Sequence, residues 1–78
     1  MSAIREAVEA ELSAFILAHR ALILAEKLRR DAPEDRVATD RVNIAVREKR
    51  EAGQLLRAAL SAHGFTYADL QAEMKSLR

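Results

Sequence analysis

A chain of 78 residues without cysteine has neither disulfides nor thiolate metal sites to support a thin core, and a domain of this size buries only about 60% of the surface its unfolded chain exposes. Thirteen Lys and Arg against twelve Asp and Glu leave a net charge of +1, which excludes a long-range field steering the chain towards DNA or an anionic membrane. Half of the residues are hydrophobic, with one Tyr, two Phe and no Trp. The apolar mass is therefore Ala, Leu, Ile and Val, a composition suited to helices packed closely through small side chains, and oligomerisation is the other usual support at this length.

In chain order, Ser2 can cap a first helix and Glu6 lies near its positive end. No Gly or Pro occurs from Ala3 to Arg30, and apolar residues recur at Ile4, Val8, Phe15, Ala18, Leu22 and Ala25, so the spacing predicts one helix over 3–31. Its stretch Ser13 to Ala25 is too short to span a bilayer, which takes about 20 residues, and carries His19 and Arg20 at its middle. Wrapped on a helix, Leu12, Phe15, Ile16, Leu22 and Ile23 cover one side. Ala10, Ala14, Leu17, Ala21, Leu24 and Leu28 form an adjacent stripe. The two together exceed the roughly 100° face that one neighbouring helix covers.

Asp31-Ala32-Pro33-Glu34 breaks the pattern. Pro33 suits the first turn of a new helix, with Asp31 as N-cap and Glu34 completing a capping box. The second helix is predicted over 33–63, ended by Gly64 in left-handed geometry. Its seam of Ala38, Val42, Ala45, Ala52, Leu56 and Ala59, flanked by Val46, Leu55 and Leu60, is narrow and is interrupted by Arg47-Glu48-Lys49-Arg50-Glu51. Gly53 costs up to about 1 kcal/mol in a helix interior, which points to close backbone approach of another helix, with a bend as the alternative. Thr66 as N-cap, Asp69 at the third helical position and Phe65 stapled to Leu70 open a short helix over 67–77, with an apolar stripe of Tyr67, Leu70, Met74 and Leu77.

Motifs for chemistry are sparse. His19 and His63 lack partner ligands at metal-binding spacing, and Ser13, Ser61 and Ser76 lack a base and an orienting acid. There is no Gly-rich phosphate loop. The expectation is a non-enzyme with no cofactor and no metal. His19 would sit at an interface, where its protonation would tune association. Arg36 with Asp40, Arg47 with Glu51 and Glu26 with Arg30 follow the spacing of a solvated helix face.

The segment Leu55 to Leu70, with its Gly-Phe-Thr turn followed by Ala-Asp-Leu, resembles the helix, turn and helix of repressor-type DNA-binding domains, and is read as structural punctuation. Ala18-His19-Arg20-Ala21-Leu22 with Leu56, Leu60 and Gly64-Phe65 resembles the family of the quorum-sensing antiactivator TraM. That resemblance implies a long antiparallel helical hairpin that self-associates and inactivates a transcriptional activator by binding it. No site residue is carried over from it.

The expected fold is all-α: one helical domain over 1–78, made of a long antiparallel two-helix hairpin plus a short C-terminal helix, dimerising into a four-helix-bundle-like assembly. The expected interface is Leu12, Phe15, Ile16, His19, Leu22 and Ile23, because exposing large apolar side chains on this scale marks an interaction site. The expected function is that of a small cytoplasmic regulatory or inhibitory protein, of phage or plasmid type, acting on a larger protein. An alternative is a nucleic-acid-binding regulator using Arg47, Arg50 and Arg57 or the Gly-Phe-Thr turn, and a third is a structural assembly component.

Overall fold

The computed structural model describes residues 3–76; the expected cap Ser2 and the last stripe residue Leu77 lie outside them. Among the described residues all regular secondary structure is helical, in the order α1 (Ala3–Ala7), α2 (Glu9–Asp31), α3 (Arg36–Ala62) and α4 (Tyr67–Ser76). The two long helices pack along each other as a hairpin, and with α1 and α4 the fold measures 45 × 26 × 17 Å.

The expected first helix is divided. Val8 leaves helical geometry at φ −122° and ψ 27°, although its amide still donates to the Ile4 carbonyl at 3.2 Å and its carbonyl accepts from Leu12 at 2.8 Å. No Gly or Pro causes this break. Val8 is fully buried against Leu12, Leu56, Leu60 and Leu70, with Ile4 and Ala7 packed on the same cluster. The Ile4 amide donates to Glu73 Oε2 of α4 at 3.2 Å. Tilting α1 at Val8 brings it onto α4, and apolar burial outweighs one distorted backbone position.

The connector also departs from expectation. Asp31 ends α2 instead of capping the next helix. The Asp35 amide donates to the Ala32 carbonyl at 3.0 Å, so residues 32–35 make a β-turn in which Pro33 takes the corner position that its fixed φ favours. Asp35 is the N-cap of α3, its side chain accepting from the Val37 amide at 2.9 Å.

The far end of α3 follows the sequence reading closely. Gly64 adopts φ 79°, the Phe65 amide donates to the Leu60 carbonyl at 2.8 Å and the Gly64 amide to Ser61 at 3.0 Å, which is the paired bonding of a Schellman stop. Thr66 and Asp69 then cap α4 reciprocally, with the Asp69 amide 3.1 Å from Thr66 Oγ1 and the Thr66 amide 2.9 Å from Asp69 Oδ2. Phe65 packs on the cluster that contains Leu70. Thr66→Ala should therefore lower stability by about 1 kcal/mol, a fall in Tm of roughly 4 to 8 °C by thermal circular dichroism.

Two buried clusters hold the hairpin. Val8, Leu12, Leu56, Leu60 and Leu70 fill the end covered by α1 and α4. Leu22, Ala25, Val42 and Ala45 hold the arms together nearer the connector, where small side chains allow the helices to approach. Between them Gly53 faces the ring of Phe15, and a Cβ there would lie 3.3 Å from Phe15 Cε2. The close neighbour is a side chain and not the helix backbone that the sequence suggested.

Candidate functional site

The expected interface residues are divided by the fold. Leu12 and Leu22 are buried by the chain itself and Phe15 and Ile16 are half-buried against the core, with Phe15 and Leu22 also lining a cleft between α2 and α3. His19 and Ile23 remain exposed. The large apolar side chains of α2 left most in solvent belong mainly to the neighbouring stripe. Leu17 is 64% and Leu24 59% exposed.

Two broad faces of the hairpin result. At about 100° per residue, Phe15 and Leu22 turn to one flank of the α2–α3 contact, whereas Ala10, Ala14, Leu17, Ala21, Leu24 and Leu28 turn to the other. In α3, Val46, Arg50, Gly53 and Arg57 lie on the first flank, and Val37, Arg41, Ile44, Glu48, Glu51 and Leu55 on the second.

The first flank carries a cleft of about 490 Å³. Phe15, Leu22 and Val46 supply an apolar floor, and Gly53 leaves space because it adds no side chain. Lys49, Arg50, Gln54 and Arg57 supply the polar lining, and Tyr67 of α4 closes one side. The Arg57 guanidinium lies 5.6 Å from the Tyr67 ring centroid, a cation–π contact that orients the charge. Among its described lining residues none is acidic. Of the three arginines that the alternative reading assigned to nucleic-acid contact, Arg50 and Arg57 come together here with Lys49, while Arg47 is exposed outside the lining. The sequence reading named Phe15 for an interface but missed Tyr67 and the meeting of both with the basic residues of α3. Their helical phase relative to Arg50 and Arg57 is legible only once the pairing of α2 with α3 is known.

The second flank is a shallower apolar trough. Leu17, Ala18 and Ala21 of α2 face Glu48, Ala52 and Leu55 of α3 across about 640 Å³. The trough continues towards the connector between Leu24 and Leu28 and the α3 residues Arg41 and Ile44. Leu55 is 65% and Ile44 53% exposed. No other element among the described residues covers this face. No helix among them is long and apolar enough to cross a membrane. No protein-family model, curated protein or solved structure matches the chain.

Proposed function

We propose that this is a non-enzymatic cytoplasmic regulatory protein of the inhibitor or antiactivator kind, which acts by holding a segment of a larger protein in the cleft between α2, α3 and α4. The observation that carries this reading is the cleft's composition: an apolar floor of Phe15, Leu22 and Val46 beneath Lys49, Arg50 and Arg57, with no acid among its described lining residues. Such a surface suits a segment with an apolar anchor and acidic flanks, because oppositely charged rims speed encounter and reject wrong partners. The resemblance to the TraM antiactivator family agrees with this in kind.

The test is capture from an extract of the native host on the immobilised protein, after nuclease treatment. A discrete protein retained by the wild type and by Arg47→Glu, and weakened at least about tenfold in affinity by Lys49→Glu with Arg50→Glu, supports the cleft as the target site. Equal retention by all variants refutes it. Salt-dependent binding to DNA or RNA, lost on removing Arg47, Arg50 and Arg57 together, would instead favour a nucleic-acid regulator.

A further inference from the structure

The second flank has a pattern that specifies its own partner. On α2 the stripe Ala10, Ala14, Leu17, Ala21, Leu24 and Leu28 advances by alternate steps of four and three, the repeat of a helix packed along another helix. On α3 the facing stripe Val37, Arg41, Ile44, Glu48, Glu51 and Leu55 advances in the same alternation. We propose that a second copy of this chain covers this flank, with α2 antiparallel to α2 of the partner and α3 antiparallel to α3 of the partner, about a two-fold axis crossing α2 near His19. The proposal concerns the flank opposite the cleft and does not rest on the cleft's assigned role.

Size complementarity on α2 is the first support. Turned end for end about position 19, the stripe places Ala10 opposite Leu28, Ala14 opposite Leu24 and Leu17 opposite Ala21 of the second copy. Every layer then joins one large and one small side chain, so two helices keep one separation along the seam, as close packing requires. A parallel pairing would stack Ala on Ala at one end and Leu on Leu at the other, forcing the helices apart unevenly.

Charge on α3 is the second, independent support. Turned about Val46, its stripe places Val37 opposite Leu55, Ile44 opposite the aliphatic stem of Glu48, and Arg41 opposite Glu51. A parallel α3 pairing would set Arg41, Glu48 and Glu51 each against its own copy, three like-charge encounters. Facing α3 with α2 would set the exposed Leu17 against Glu48 and Glu51 with no cation between them. The level of His19 on α2 corresponds to about Glu48 on α3, so the two centres differ by about two residues, or roughly 3 Å. The line joining the two centres is inclined by roughly 18° to the perpendicular of the helices, and a two-fold axis along it crosses the paired helices at twice that, roughly 35°, within the scatter of helix packing angles. The face, about 27 Å long and two helices wide, buries roughly 500 Å² per copy, which reaches the smallest areas that hold a specific dimer.

The absence of cysteine makes the register directly testable. The Ala14→Cys and Leu24→Cys proteins, mixed under mild oxidation, should give a mixed disulfide dimer, and neither alone should do so efficiently. Sedimentation over about 1 to 500 µM brackets the affinity of an interface this small. There the wild type should form dimers, and Leu24→Glu, exposed within a single chain and checked as helical by circular dichroism, should dimerise about a hundredfold more weakly or not at all. Arg41→Glu and Glu51→Arg should each weaken the dimer roughly threefold to tenfold, and the two together should restore it. Ten positions apart on one helix, these residues cannot compensate each other within a chain. A wild type that stays monomeric, efficient self-linking of Ala14→Cys, or a failed charge-swap restoration would each overturn the register.

Discussion

Leu56→Ala is expected to lower stability by about 2 to 5 kcal/mol, the range for removing a large aliphatic group from a packed core. Leu56 is 0% exposed and lies where α1, α2, α3 and α4 meet, against Val8, Leu12, Leu60 and Leu70. A chain this short has a net stability not much larger than that loss, so most of the population should be unfolded in mild urea. Denaturation followed by circular dichroism at one fixed protein concentration checks it, because self-association would add to apparent stability. Leu55→Ala, one position away but 65% exposed, should shift the midpoint little in a monomer. An equal effect of the two substitutions would show that the core is placed wrongly.

The second large effect is a contrast between the two glycines. Gly64→Ala should destabilise by about 1 to 2 kcal/mol, because a Cβ is disfavoured in left-handed geometry, although nothing lies within 4 Å of where it would be built. The cost is in the backbone and would not be relieved by repacking. Gly53→Ala is the reverse case. Its backbone is helical, so alanine gains up to about 1 kcal/mol of propensity, and the only obstacle is Phe15 Cε2 at 3.3 Å. That ring lines an open cleft and can turn aside, so the net change should be under about 1 kcal/mol and stabilising. Thermal unfolding of both variants beside the wild type decides the matter; destabilisation by Gly53→Ala larger than that by Gly64→Ala would contradict the assignment of strain.

Local signals were legible because their chemistry acts over three or four residues. Gly64, Thr66 and Asp69 form the Schellman stop and the reciprocal cap as expected, and Phe65 packs on the cluster that contains Leu70. Asp35 was passed over for Asp31, because both are acids beside Pro33 and the choice depends on whether proline starts a helix or turns a corner. The break at Val8 carries no sequence signal at all. It arises because Glu73 and Leu70, some 60 residues or more later in the chain, occupy the place to which α1 tilts.

The amino-acid sequence by itself determined that this chain is built of helices, where the long arms end and the short one begins, and that α2 carries more apolar surface than one partner helix covers. Periodicity and capping act along one helix and need no knowledge of its neighbours. Which of the two apolar stripes of α2 is spent inside the chain was decided only by tertiary structure. The phase at which α3 docks, together with α1 and α4 closing over Leu12 and Leu56, buries Leu12 and Leu22 and turns Leu17 and Leu24 to solvent. The same docking gathers Phe15, Arg50, Arg57 and Tyr67 around one cleft. The pairing of two helix faces is a property of both surfaces at once, so neither helix read alone contains it.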